Sequence, residues 1–403
     1  MTRLTATLVL VAGLATLTPA AAQSPGDEVF RNRLAIAQAR LTLNVVQRLA
    51  TADKPMLVVS PASLAGAAAA LDLGASAQLR GAMHGVLGFR RNADVAADLA
   101  ALRASVRKLA DAPPPDAPLR FATSVVFDHA VPLYPGVPLA LAQAGMDHAV
   151  LDTGAADTAE KINKRFRDLT AGLIPEMVDR SSAASLLVLN ALYFKDKWQT
   201  PFDRAATAPA PFRRVGGKQL TVSTMHLPQG KYRFRQDTRF MAIELPYASD
   251  RFSMVVVTTR GERPAPVSAF RAVGDWLSGS GFALADGELA LPHFDVSQRE
   301  DLLRVLDGLG LRQARLSPDA LSGFSSDPAR VTRVLQRVEL RVNEEGTQAA
   351  AATTVAVERS VDANYVRMVV DRPFMFALRD AVTGLILVAG YVGQPTPLAT
   401  AAQ

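Results

Sequence analysis

Asn343-Glu-Glu-Gly-Thr-Gln-Ala-Ala-Ala-Ala-Thr-Thr-Val-Ala-Val-Glu-Arg-Ser360 is a run of small and β-branched residues that suits two conformations, a surface loop and a strand. Every second residue gives Thr347, Ala349, Ala351, Thr353, Val355 and Val357. An extended chain would therefore carry only compact, uncharged side chains on one face. The other face carries Gln348, Ala350, Ala352, Thr354, Ala356 and Glu358, with its bulky polar members only at the ends. No proline or glycine interrupts 347–372, so the segment can join the middle of a sheet without losing a ladder hydrogen bond. On pattern alone an alanine-rich helix or a plain loop competes with this reading.

Outward from that stretch, the N-terminus has the plan of a secretory signal: Met-Thr-Arg, an apolar run from Leu4 to Leu17, then Pro19-Ala20-Ala21-Ala22-Gln23. A signal peptide is expected over 1–22, leaving 23–403 as a single domain that is secreted or periplasmic. No later apolar run approaches the ~20 residues that span a bilayer. The 403 residues contain no cysteine, which excludes disulfides and thiolate chemistry and suits a periplasm or bacterial exterior. Net charge is +6, but the basic residues are scattered without interleaved aromatics, so neither a nucleic-acid partner nor polyanion binding is expected. Arg103 and Arg107 share a helical face that reads as solvated.

Helical periodicity is expected over 28–50, 76–87, 93–110 and 156–168, and from Pro61 to about Leu73 with Ser60 as cap and Gly74 as terminator. Strands are expected at 57–59, 119–128, 185–194, 219–225, 232–235, 241–245, 252–258 and 289–294. Gln298–Leu309 reads as a helix stopped by Gly310, followed by strands at 333–342, 365–370, 374–379 and 385–390 and a disordered tail from about Thr396. Helices gather early and strands late, which makes this an α+β chain with antiparallel or mixed sheets.

Catalytic signatures are missing. None of His84, His129, His148, His226 and His293 stands at a metal-ligand interval from another, and there is neither a His-Glu-x-x-His element nor a Gly-x-Ser-x-Gly elbow. His293, inside Leu291-Pro292-His293-Phe294, reads as a surface or satisfied core imidazole. The chain is expected to be a non-enzyme with no catalytic residue, no metal and no cofactor.

Motifs then recur in a fixed order: Ser60-Pro61-Ala62-Ser63-Leu64, Leu71-Asp72-Leu73-Gly74-Ala75, Leu189-Asn190-Ala191-Leu192-Tyr193-Phe194-Lys195-Asp196-Lys197-Trp198, Leu245-Pro246-Tyr247, Leu291-Pro292-His293-Phe294, Glu344-Glu345-Gly346-Thr347 and Arg372-Pro373-Phe374. In this order the chain resembles the serpin family over roughly residues 30–395. The resemblance implies three β-sheets, eight or nine helices, and an exposed reactive-centre loop at about 344–364. It also implies suicide-type inhibition: a serine protease attacks the loop, forms an acyl-enzyme, and is trapped when the freed loop inserts into the central sheet.

By the same resemblance Glu344, Glu345, Gly346, Thr347, Ala349, Ala350, Ala351 and Ala352 form the hinge, and Ser60, Ser63, Asn190, Gln336 and Trp198 control sheet opening. Two counts disagree about the cut bond. One gives Arg359-Ser360, favoured because a guanidinium suits a trypsin-like pocket; the other gives Ser360-Val361, and a cut beside Ala356 or Val357 would suit an elastase-like or subtilisin-like target. The sequence departs from the family at Gln336, where a histidine is common, and at Met56, Phe166, Thr258-Thr259 and Val388. A non-inhibitory carrier or chaperone, or an inhibitor extending to papain-like cysteine proteases, stands as the alternative. The protein is expected to be a monomer without a membrane span.

Overall fold

The computed structural model describes residues 25–50, 54, 56–89, 94–110, 117–346 and 365–398. In chain order it opens with α1 (Pro25–Leu49), β1 (Met56–Val59), α2 (Pro61–Asp72), α3 (Ala77–Val86) and α4 (Val95–Ala110). Next come β2 (Leu119–Asp128), α5 (Val137–Gln143), β3 (Asp147–Leu151), α6 (Thr158–Leu169) and β4 (Leu186–Phe194). A strand-rich half follows: β5 (Asp203–Arg213), β6 (Gln219–Gln236), β7 (Phe240–Pro246), β8 (Phe252–Thr259), β9 (Ala283–Pro292) and β10 (Phe294–Asp301). It closes with β11 (Val331–Val342), β12 (Val366–Val369), β13 (Phe374–Asp380) and β14 (Ile386–Val392).

One sheet has five strands in the order β10-β11-β4-β2-β3, and the other has nine, β1-β14-β13-β8-β7-β6-β9-β12 with β5 on β6. The three expected sheets thus resolve into two hydrogen-bonded networks. Expected strands 219–225 and 232–235 are one strand, β6, which pairs β5 and then β7 and continues along β9 through a register shift between Leu227 and Gly230.

α2 lies between the two sheets with all of its residues buried. It packs on β2 and β4 on one side and β14 on the other. Its composition explains how: half of its residues are alanine and one is glycine, so its backbone approaches both sheets closely. At Gly66 even a methyl group would collide with the Thr123 hydroxyl. Ser60 caps the helix as expected, accepting from Ser63 N at 3.0 Å, with Pro61 in the first turn.

Some expectations change. Gln298–Asp301 is strand, not helix, because the edge of β11 recruits it: Gln298 pairs Val338 and Glu300 pairs Gln336. Helix persists only at Leu303–Leu306 and the following turn, where Gly310 takes the left-handed φ of 117°. Gly74 is not in a left-handed conformation; it is small because the Phe324 ring lies where a Cβ would be. At the tail, Pro397 pairs Val222 and Leu398 N donates to Thr221 O at 3.2 Å, so 396–398 lie along the sheet and 399–403 fall outside the described residues. No helix among the described residues is long and apolar enough to cross a membrane.

Candidate functional site

β4 and β11 run parallel, side by side, in the middle of the five-stranded sheet, paired as far as Leu340 and Phe194. Beyond that pair the strands part into a fork, and the turn after β11 is wedged into it. Asn343 N donates to Gly346 O at 3.1 Å and Gly346 N to Asn343 O at 3.3 Å, a tight antiparallel turn around Glu344 and Glu345. On its other side Gly346 pairs antiparallel with Lys197, just past the end of β4. Gly346 therefore already sits between the continuations of both strands, antiparallel to each.

Only glycine fits there. Gly346 has φ 131°, and a Cβ would fall onto the Asp196 carbonyl and the backbone of Lys197 and Trp198. The turn is also held from the side. Trp198 N donates to Glu345 O and Phe202 N to Glu344 O, each at 2.9 Å, and Trp198 Nε1 donates to Asn343 O at 2.9 Å. The indole is buried and stacks on Tyr247 at 4.3 Å.

Both turn side chains are engaged as well. Glu344 Oε1 accepts from Thr207 Oγ1 at 2.7 Å and lies 2.9 Å from His293 Nε2, and Glu345 lies beside Arg204, but His293 Nε2 and Glu345 Oε1 make no aligned hydrogen bond among the described residues. Burial pushes the Glu344 carboxyl upward, but the Thr207 hydroxyl, backbone donation and His293 outweigh it and hold the group below the usual carboxylate range.

Further down the same pair of strands lies a buried polar row. Gln336 on β11 is level with Asn190 on β4, which is level with Thr123 on β2. Ser60 N donates to Gln336 Oε1 at 2.9 Å, and Gln336 Nε2 donates to Val58 O at 3.3 Å. Ser60 Oγ donates to Leu387 O at 2.6 Å, so one cap residue ties α2 to the second sheet. Thr123 Oγ1 donates to Asn190 Oδ1 at 2.8 Å. Asn190 Nδ2 and Ser63 Oγ are buried with no hydrogen-bond partner among the described residues. An unsatisfied buried donor costs about 1–3 kcal/mol, so this row is poorly satisfied as the sheet stands.

The structure thus brings Ser60, Ser63, Asn190 and Gln336 together under the sheet, and places Trp198 separately at the fork with Glu344, Glu345 and Gly346. Thr347, Ala349, Ala350, Ala351, Ala352, Arg359, Ser360 and Val361 lie outside the described residues. Sequence reasoning missed Thr123, which stands beside Ser124 in a mostly apolar strand, and missed Arg204, Thr207 and the proximity of His293 to Glu344. Asp128, His129 and Asp152 bring potential metal-ligand atoms within 4.8 Å of one another. Asp128 there is already committed to Thr153 and the Ala130 backbone, which hold its carboxyl below the usual range.

The fold and this divided sheet define a family. The family described as Serpin (serine protease inhibitor) matches residues 36–395, and the chain belongs to it. Serine protease inhibitor 42Dd of Drosophila melanogaster is 34% identical over 240 residues, 57% of this chain and 63% of that relative, so the match spans somewhat under two thirds of its length. A serine protease inhibitor of Cyanea capillata is 29% identical over 356 residues, 84% of this chain and 92% of the relative. Among solved structures, Serpin48 of the insect Tenebrio molitor superposes with a TM-score of 0.77 at 22% identity, covering 93% of this chain and all of that one, which speaks to fold alone.

Proposed function

We propose that this chain is a serine protease inhibitor that traps its target by inserting its cleaved loop between β4 and β11. The observation that carries the reading is Gly346 seated in the fork, antiparallel to both strands. A loop released at its far end would extend from that seed. Thr353 is seven residues past Gly346, while Gln336 is seven before Asn343 and Asn190 seven before Lys197, so the two strands impose one register. In it the compact face read from the sequence turns toward α2, and the Thr353 hydroxyl arrives beside Asn190 Nδ2.

The energetics favour that end state. One parallel pairing is replaced by two antiparallel ones, which are slightly more stable per residue. About a dozen added backbone hydrogen bonds at ~1 kcal/mol net each give a gain on the order of 10 kcal/mol. At about 3.3 Å per residue, twelve inserted residues carry the severed end ~40 Å. The intact loop is tethered at both ends, so the protein would be held by kinetics short of its lowest state.

In this proposal a trypsin-like enzyme acylated at Arg359-Ser360 is the preferred target, the mature chain is exported, and the protein is consumed rather than turning over. The test is incubation with trypsin, elastase and subtilisin followed by denaturing electrophoresis and mass measurement of the released C-terminal peptide. A covalent complex with release of a peptide beginning at Ser360 is expected. Clean loop cleavage with no complex would overturn the inhibitory reading.

A further inference from the structure

β6 and β7 pair only from Arg233 and Glu244 to Gln236 and Met241. Beyond Arg233, β6 bends away through its register shift between Leu227 and Gly230, where Tyr232 Oη donates to Pro228 O at 2.7 Å, while β7 runs on to Pro246. The gap between them is bounded by the chain from Trp198 to Thr200, with Gln199 N donating to Pro246 O at 3.0 Å. It holds a cavity of about 150 Å³. No step of the proposed insertion uses this space.

The cavity has two ends of different chemistry. Trp198, Leu227 and Leu245 are buried and form an apolar wall with Pro246. Leu284 at the rim is 70% exposed, more than any other large hydrophobic side chain among the described residues. A ligand lying over it would recover apolar area that the fold leaves in water.

The other end is cationic. Lys231 is exposed and has no ion pair among the described residues. Glu244 is already shared: Arg233 Nε donates to it at 2.8 Å, Arg379 at 2.9 Å and Ser253 Oγ at 3.0 Å. Two guanidiniums thus face one carboxylate. Burial lowers the pKa of Arg379, with Glu244 opposing the fall and Arg233 adding to it. Tyr232 stays neutral, because burial pushes its phenol up to about 12. Asp286, level with Lys231 on β9, is the further carboxylate that an incoming anion would meet.

We propose that this cavity binds a small aromatic carboxylate, with its ring against Trp198, Leu227 and Leu245 and its carboxylate on Lys231. Size selects the ring, since a void of this volume accommodates one benzene. Charge selects the carboxylate, which gives the unpaired ammonium of Lys231 a partner beside a surplus of guanidinium. An apolar cleft with a few convergent polar groups is the usual build of a small-molecule site. The site is independent of the insertion reading, because it needs neither protease nor loop.

The test titrates phenylacetate into the full chain carrying Trp276→Phe, which leaves Trp198 as the sole indole. A saturable change in Trp198 emission is expected in the millimolar range. Acetate, which lacks the ring, should bind at least about tenfold more weakly. Phenylacetamide, which lacks the charge, should bind about fivefold more weakly. Lys231→Met keeps the aliphatic stem and should weaken phenylacetate by about the same fivefold while leaving phenylacetamide unchanged. Leu284→Asp, at a position the core does not need, should weaken both ring compounds and phenylacetate the more. Saturation-transfer NMR on the unmodified protein reads the same binding without the Trp276 substitution. Absence of saturable binding by both methods, or binding that Lys231→Met and Leu284→Asp leave unchanged, would overturn the site. Either result leaves the inhibitory reading standing, just as failure to form a covalent complex with trypsin would leave this site standing.

Discussion

The β4/β11 boundary behaves differently at its two ends. At the fork the strands are already parted and the gap is filled by a tight turn, with Arg204, Thr207 and His293 from another sheet around it. At the polar row the strands are closed, wholly buried, and stitched to α2 and β14 by hydrogen bonds through Ser60 and Gln336. The fork is open and its turn is held by backbone hydrogen bonds, though His293 Nε2 and Glu345 Oε1 there lack hydrogen-bond partners among the described residues; the row is closed yet leaves Asn190 Nδ2 and Ser63 Oγ without one. On the proposed insertion mechanism such a boundary has a direction: it would open from the fork and gain hydrogen bonds when a new strand reached the row.

The sharpest way to break this comparison is at the seed. Gly346→Val places a branched side chain on the Asp196–Trp198 backbone at a left-handed φ, so the turn must leave the fork. Covalent complex with trypsin should drop more than about tenfold on gels, equivalent to over ~1.4 kcal/mol in the insertion barrier. Thr347→Arg tests the next step: a guanidinium forced toward the interior should convert the protein into a substrate, seen as cleaved chain without complex.

Gln336→Leu attacks the other end. It removes the acceptor for Ser60 N and the donor to Val58 O, leaving two buried groups unpaired, so the intact protein should lose about 2–3 kcal/mol in denaturant unfolding. It should also loosen the closed row, a change that Gly346→Val would not produce.

The smallest effect is electrostatic. The Glu344 carboxyl is depressed in the folded protein, so its contribution is in place above the ordinary carboxylate range and is lost as pH falls through the depressed value. Glu344→Gln should flatten that part of the acid limb of a stability-pH profile and leave the alkaline limb unchanged.

Much of this was legible in the sequence, for physical reasons that stop at identifiable places. The helices and central strands carry strong apolar periodicity, and α2 announces itself by Ser60, Pro61 and a wall of alanine. β5 gave no signal because it is exposed and carries Pro209 and Pro211; it is a strand only because β6 pairs with it. Gln298–Asp301 is built of good helix formers and was drawn into an edge strand by β11. The polar row was read by resemblance except for Thr123, since the Thr123-Ser124 hydroxyl pair on β2 does not say which of the two faces the row or what lies opposite. The grip on Glu344 was invisible: Thr207 is 137 residues away, and only the folded sheets bring it within hydrogen-bonding distance.

The central claim is that the closed sheet is a stressed arrangement waiting for one more strand. Limited proteolysis within residues 347–364, followed by thermal unfolding of the nicked and intact proteins, tests it most directly. The account predicts that the nicked protein melts far above the intact one, with the severed segment protected from further digestion. Equal melting temperatures, with the severed segment still open to protease, would contradict it.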